Sequence, residues 1–435
     1  MFDSYNDIYF NKCNFTNNNA TSGSAGAIYY MNLPATGTGS TKYDDCVFDG
    51  NLASGDRTTT GSSVISLGDG GAIFLIGSGH EFNYCTFNNN NVTKNNHKGG
   101  AIYMAPGTSN IAFNYCNFTK NNSTYRGGAI YSYASGVTIE HCNFTDNWAY
   151  SAGGAFITDN PSSGTTENIK ITYSNFTGNI GWRGGAIDIY GLSKNTNISY
   201  CSFDKNDGGE GSAIWIDSVS GSVTGCNFTN NTAVETATVW FESSQGKIDK
   251  CNFISNNATV AGGICVNKDN VKSTNSNFTE NAAGEAGAIL FTSASTGSDV
   301  DHCRFINNTA SGKGGAIVVR GNDISIDNSY FTNNTAATGG AVYVDDVSGI
   351  SLNDDTFVSN SADNGGAVYK DGTSSSLTIN NNNSNYNPNN NSNNNSNNNS
   401  NNNSNYNSNN NSNYNSNYNS NNNSNNQNMR HPTTL

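Results

Sequence analysis

Apolar and polar positions along this chain alternate in short runs, and none shows the i, i+3, i+4, i+7 spacing of an amphipathic helix. In residues 137–147 (VTIEHCNFTDN), Val137 and Ile139 alternate and so share one strand face, as do Cys142 and Phe144. Ile139 and Cys142 are three apart, so parity breaks between them and the chain must bend there if all four point inward. The pattern predicts two short strands meeting at a tight corner. A Gly-Gly-Ala-Ile segment, here Gly153-Gly-Ala-Phe156, opens a third strand.

Phe-x-x-Asn recurs thirteen times, beginning at Phe15, Phe48, Phe87, Phe118, Phe144, Phe176, Phe203, Phe228, Phe253, Phe278, Phe305, Phe331 and Phe357. Successive steps run from 25 to 39 residues and are nearly constant, at 25 to 27, from Phe203 onward. Self-similarity at such a period means a solenoid, and 25 to 27 residues is shorter than most helical repeats. Twelve of the thirteen units carry an apolar residue three before the Cys position; the exception is Ser273. Each unit therefore reads as one coil, and the fold class as all-β, a single right-handed parallel β-helix of about thirteen coils. Stacked coils would place Phe118 over Phe144 in the lumen. Asn121 and Asn147 would fall into an amide ladder in which each side chain donates to one neighbour and accepts from the other.

Composition adds the compartment question. Cys13, Cys46, Cys85, Cys116, Cys142, Cys201, Cys226, Cys251 and Cys303 occupy one ladder position, where Ser174, Ser276, Ser329 and Asp355 stand in the other coils. Tolerance for Ser points to a small inward side chain, so these Cys read as buried free thiols rather than disulfides or metal ligands. The net charge of −13 argues against nucleic acid as a partner. No apolar run approaches the ~20 residues of a membrane span. Residues 1–7 lead straight into the first strand with no signal peptide, which suggests a fragment of a longer protein or another export route. The solenoid is expected to occupy 1–380. Residues 381–435, an Asn/Ser-rich tract with isolated Tyr, cannot bury enough apolar surface to offset ordering entropy and read as a disordered tail.

Candidate chemistry is sparse. The vicinal pairs Asp44-Asp45, Asp345-Asp346 and Asp354-Asp355 sit at turns, where Asp serves turn geometry. The motifs of pectin-cleaving hydrolases (Asn-Thr-Asp, Gly-His-Gly, Arg-Ile-Lys) are absent, and the five His show no metal spacing. The reading is thus of no catalytic residue, no metal and no cofactor. Aromatic rows carry the binding signal: Tyr84, Tyr115, Tyr173 and Tyr200 directly before the Cys position, and Tyr103 and Tyr131 after Gly-Gly-Ala-Ile. Such rows could dock a sugar or protein, or stack for stability alone. Long returns at 31–42, 104–112, 158–168 and 189–196 leave one corner and would project beside Tyr103 and Tyr131. Asn-x-Ser/Thr sequons such as Asn143 and Asn175 permit glycosylation on the outer face.

With both motifs repeating, residues 8–379 resemble the chlamydial polymorphic outer-membrane proteins, whose passenger regions carry these tetrapeptides. The Cys-x-Phe-x-x-Asn form with Asn/Thr-rich turns is even more similar to adhesin-like surface proteins of methanogenic archaea. The resemblance implies an extracellular or cell-surface β-helix used in attachment to a glycan or protein of another cell. The expectation is a non-catalytic adhesin or binding scaffold. A polysaccharide lyase or glycoside hydrolase and a structural surface-layer component are the alternatives.

Overall fold

The computed structural model describes residues 7–31, 40–56, 58–60, 63–65, 68–161, 165–372 and 376–385. It is an all-β right-handed parallel solenoid. Each coil contributes to a leading sheet of 14 strands (Ile8–Asn11 to Leu377–Asn380) and to a Phe sheet of 14 strands (Asn14–Thr16 to Asn383–Asn385). A Gly-Gly sheet has 13 strands (Ile28–Met31 to Val368–Lys370). A fourth sheet, of 11 very short strands (Asn19–Ala20 to Thr309–Ala310), was not anticipated. It follows the Asn row, where nine of the eleven strands have two residues, too few for alternation to register; only Trp148–Ala152 and Ile180–Arg183 are longer. An antiparallel hairpin, Thr58–Thr60 with Ser63–Ile65, lies in the long insert of coil 2.

The corner between the first two sheets explains the parity break. The residue before each Cys adopts left-handed backbone, with φ of 55° at Tyr84 and Tyr115, 53° at His141, 50° at Tyr173 and 55° at Tyr200. One residue in that conformation turns the chain so that Ile139 and Cys142 both face the lumen, where both are buried. Ser273, between Ile248 and Val300 in register, is buried too, 4.0 Å from the Cys303 sulfur.

The interior is a set of one-residue rows. Consecutive rings from Phe15 to Phe357 stack with centroids 4.5 to 5.0 Å apart and planes within 8°. That spacing is one inter-strand step, so register never slips along the row. Beside it runs the amide ladder. Asn121 Nδ2 donates to Asn147 Oδ1 (2.9 Å) and to Phe87 O of the preceding coil (3.0 Å). Its own Oδ1 accepts from Nδ2 and backbone N of Asn90, both at 3.0 Å. Every donor and acceptor of the buried amide is thereby used. Asn147 repeats the pattern with Asn179 and Phe118 O.

All ten Cys are free; Cys13 is partly exposed and the others are buried. In the row, each thiol donates to the carbonyl two residues earlier, as Cys116 does to Asn114 O at 3.4 Å. The β-structure runs past residue 380: Asn383–Asn385 pairs with Thr356–Val358. The tail from 386 onward lies outside the described residues. The return at 189–196 is not a loop, because strand Ile187–Lys194 continues through it and a register shift between Ile189 and Ser193 absorbs the extra residues. Most of the return at 31–42 lies outside the described residues. No helix of the described residues is long and apolar enough to cross a membrane.

Candidate functional site

On the outer face of the Gly-Gly sheet one row reads Phe74, Tyr103, Tyr131, Ile157, Asp188, Trp215 and Trp240, one residue per coil. Parity places this row outward, yet most of it is buried. Residues just before the Gly pairs lie against this row: Ala152 shares one apolar cluster with Tyr103, Tyr131 and Ile157, and Lys98 Nζ sits 4.2 Å from the Tyr131 ring centroid. A Cβ on Gly99 (φ 69°) would sit 2.3 Å from Ile102 O, so only glycine permits the chain to double back so closely. Residues directly before the Gly pairs, Lys98, Arg126, Ala152 and Arg183, with Glu210 before the equivalent Gly211-Ser212, form a second row of paired backbone. Three of these five are cationic, and they lie over the ring row.

Coils 3 to 7 bring the cations, rings and carboxylates together. Lys98 Nζ donates to the hydroxyls of Tyr131 (2.7 Å) and Tyr133 (3.0 Å). Tyr131, fully buried, donates in turn to Asp159 Oδ2, which also accepts from Arg126 Nη1 at 3.2 Å. One coil on, Arg183 Nε donates to Asp188 Oδ2 at 2.8 Å. The Arg183 guanidinium stacks on Tyr190 and Trp215, 4.3 Å from each ring centroid, and Arg126 reaches the same Tyr190 ring at 5.6 Å. Three buried polar atoms in this cluster have no partner: Arg126 Nε, Arg183 Nη2 and Asp188 Oδ1.

Asp188 is the charged anomaly of its row, 0% exposed where other coils carry a ring or an aliphatic side chain. Burial pushes its carboxyl up to about 7, against the pull of Arg183 and Arg126; the charge of Asp159 adds to the rise. Burial, and then the charge of Asp159, also raises the Tyr131 phenol far above its usual range. A carboxyl that holds its proton near neutrality in the field of a second carboxylate can serve general acid–base chemistry. Sequence reasoning missed Asp159, Asp188, Arg126, Arg183 and Lys98. The available signals were Asp188 directly after Gly-Gly-Ala-Ile, where aromatics dominate, and Lys or Arg directly before the Gly pair in coils 3, 4 and 6.

The residues singled out from sequence separate into two groups. Tyr103 and Tyr131 are buried beneath the crossing segments, because those segments cover the outward row. Tyr84, Tyr115, Tyr173 and Tyr200 are exposed, Tyr84 at 60%. With His141 they form one continuous stack, centroids 4.7 to 5.1 Å apart. Their faces are spent on each other, leaving edges and hydroxyls to solvent. A different apolar patch is exposed on coils 5 and 6: Trp148, Tyr150 at 70%, Ile180 and Trp182 at 50%, with one face of the Trp182 ring resting on Gly209. Trp148 and Tyr150 are tilted by 58°, not stacked, and Trp182 is the chain neighbour of Arg183. Of the vicinal Asp pairs, Asp45 and Asp354 occupy left-handed turn positions, and Asp345 pairs with Arg320. Among the described residues no cluster of His, Cys, Asp and Glu could hold a metal ion.

The sequence profile of the right-handed β-helix region matches residues 51–232 and 212–384. None of the curated proteins compared matches the chain. Among solved structures, the A-module of the Azotobacter vinelandii mannuronan C-5 epimerase AlgE4 is similar at 13% identity. That match covers 73% of this chain and 90% of the other, with a TM-score of 0.39. The AlgE6 A-module of the same organism is similar at 11% identity over 87% and 91%, with a TM-score of 0.35. Likeness at this level shows the fold alone. The expectation of a non-catalytic chain is corrected here: both similar structures are titled mannuronan C-5 epimerases.

Proposed function

Since the chain belongs to the right-handed β-helix family, we propose that it is a polysaccharide-acting β-helix whose centre is the cluster on coils 3 to 7. The observation that carries this reading is Asp188. Its carboxyl is buried, bonded through one oxygen only, and set beside Asp159, two arginines and Tyr131. A glycan lies across Arg126, Arg183, Asp159 and Tyr190, with Trp182, Tyr150 and Trp148 as the stacking platform for neighbouring sugars. Asp188 holds the proton given to the leaving glycosidic oxygen, and Asp159 is the second carboxylate of the pair. Arg183 seals Asp188 from solvent, so engagement of the glycan has to draw that side chain aside. Asp159 is the base that completes the step: in hydrolysis it takes a proton from the water that attacks the anomeric carbon, and in elimination it takes the ring C–H proton as the C–O bond breaks.

The test is product release from a panel of neutral and acidic polysaccharides, followed by reducing ends and by absorbance of unsaturated sugars. The native chain should act on at least one polymer, and Asp188→Asn and Asp159→Asn should each lower the rate at least 100-fold. Undiminished turnover by folded Asp188→Asn would remove the centre from this cluster.

A surface-attachment role, of the kind carried by adhesin-like β-helices of methanogenic archaea and chlamydial polymorphic outer-membrane proteins, is the second reading. The exposed stack from Tyr84 to Tyr200 supports it, since five rings, four of them tyrosines, keep their edges in water on one corner. In that reading the chain works outside the cell, on a glycan or protein of another cell. Cell adhesion that survives Tyr115→Asn with Tyr173→Asn would count against it.

A further inference from the structure

Away from the cluster on coils 3 to 7, coils 8 and 9 set two exposed aliphatic side chains beside one Asn-x-Thr triplet. Among the described residues, the exposed large apolar side chains after coil 7 are Val234, at 55%, and Ile254, at 39%. Both border residues 230–232, Asn-Asn-Thr. Asn230 N donates to Ile254 O at 3.1 Å, which fixes Ile254 beside it on the next coil, and Val234 follows Thr232 by two residues. The triplet divides its roles. Asn231 is buried in the amide ladder and donates to Asn256 Oδ1 at 2.9 Å. Asn230, at the corner with φ 53°, and Thr232 are exposed on either side of it. The Asn230 amide and the Thr232 hydroxyl make no hydrogen bond among the described residues.

Other Asn-x-Thr sites differ. Asn143, Asn175 and Asn277 lie on the flat Phe sheet, where their Nδ2 atoms donate along the row to Asn117, Asn143 and Asn252 at 2.8 to 2.9 Å. At Asn257 the hydroxyl is committed instead: Thr259 Oγ1 donates to Val234 O at 2.7 Å. The coil itself does not demand the triplet. Lys205, Ser255 and Glu280 take the same left-handed corner as Asn230, and Asp207, Asn257 and Ala282 share the row of Thr232. We infer that Asn230 is a modification site that carries an N-linked glycan, its first sugars lying over Ile254 and Val234. In the transfer, the amide nitrogen attacks the anomeric carbon of a lipid-diphosphate-linked oligosaccharide. The N–C bond forms as the C–O bond to the diphosphate breaks, and the amide proton ends on the departing diphosphate. The apolar face of the sugar then shields the two aliphatic side chains from water. This surface is separate from the cluster, and the inference stands without the polysaccharide reading.

The experiment takes the full chain from a host without N-glycosylation and offers it, folded and denatured, to a purified single-subunit oligosaccharyltransferase. The donor is lipid-diphosphate chitobiose, a peptide acceptor confirms that the enzyme is active, and peptide mass spectrometry locates the sugar. In the folded chain Asn230 should be modified at least tenfold faster than Asn143, Asn175 and Asn277. Denaturation should shrink that preference to threefold or less. The modified chain should melt at least 2 °C higher than the unmodified one. Thr232→Ala should remove both the sugar at Asn230 and the rise, without moving the midpoint of the unmodified chain. Ile254→Ser combined with Val234→Ser should keep the sugar and abolish the rise. Thr309→Ala, which removes the same triplet at Asn307, where Thr332 O takes the place of Ile254 O, should leave the rise intact. Asn230 left bare in the folded chain, or modified no faster than the three Asn of the flat sheet, overturns the site. A rise that survives the two serines overturns the placement of the sugars.

Discussion

Asn206 Nδ2 donates to Asn231 Oδ1 at 3.0 Å, and the same nitrogen donates to Phe176 O at 2.9 Å. Its Oδ1 accepts from Nδ2 and backbone N of Asn179, both within 3.0 Å. Four hydrogen bonds thus meet at one buried amide. Asn206→Leu leaves three neighbours unmatched and should cost on the order of 5 kcal/mol, at ~1–3 kcal/mol per orphaned group. Asn206→Asp keeps the acceptors but loses both donations and buries a charge. Its loss should be larger at pH 7 than at pH 3, as read by the urea midpoint.

Asp355 stands in the row otherwise filled by Cys and Ser. It accepts from Ser329 N at 2.8 Å through one oxygen, while the other is buried with no partner. Burial raises its carboxyl to about 8. The unfolded chain gives up that proton near pH 4, so stability from this group is complete below about pH 4 and is lost as pH rises through 8. Asp355→Ser should therefore stabilise the protein by a few kcal/mol at pH 8.5 and change little at pH 4. A gain that is equal at both pH values would contradict this account.

The same sign governs Asp188, whose carboxyl is raised to about 7. Protonated Asp188 is the acid, so the rate should fall above pH 7 with one apparent ionisation. In Asp188→Asn that fall should vanish along with activity. The variant should also gain stability relative to the native chain between pH 4 and 7. A pH–rate profile and thermal melts at four pH values measure both.

Thiol titration checks the Cys row. Burial raises Cys46 and Cys303 of the row to about 11 and about 12, and Cys265 outside it to about 12, which starves them of reactive thiolate. A hydrogen bond with Cys116 lowers Cys85, whose protection rests on burial alone. The native protein should yield at most the partly exposed Cys13, and all ten thiols only after denaturation. Prompt native labelling of three or more would show that the row is open.

The exposed stack should respond to backbone strain. Tyr173 sits at φ 50°, where Asn is tolerated and most side chains are not. Tyr173→Ala keeps the strain and loses two ring contacts, and should cost about 1–2 kcal/mol. Tyr173→Asn should be close to neutral, by denaturant midpoint.

The rows were legible in sequence because a row needs the same residue type in every coil. Phe144, Asn147 and Cys142 each announce thirteen equivalent environments, so their spacing carried the fold. The Asp188 cluster was not legible, for the opposite reason. Its members come from coils 3 to 7 and no single row supplies them all; they meet because the residues before the Gly pairs lie against the outward row. Parity correctly sent Tyr103 and Tyr131 outward, but parity says nothing of what lies on top. Charge placement at Lys98, Arg126, Arg183 and Asp188 held the remaining information, and it becomes readable only when the two rows are known to be adjacent.

The Phe, Asn and Ile rows touch their counterparts one coil away and nothing farther, so the described fold keeps no count of its own. The steps Phe203 to Phe228, Phe228 to Phe253 and Phe253 to Phe278 are each 25 residues, and each coil presents the next with the same surface. Excising one such repeat would let coils that never met close over the gap through the same contacts. The length of the rod is thus a matter of how many times the gene segment has been copied. Coils 3 to 7, whose cluster draws different residues from successive coils, are where such copying would have to stop.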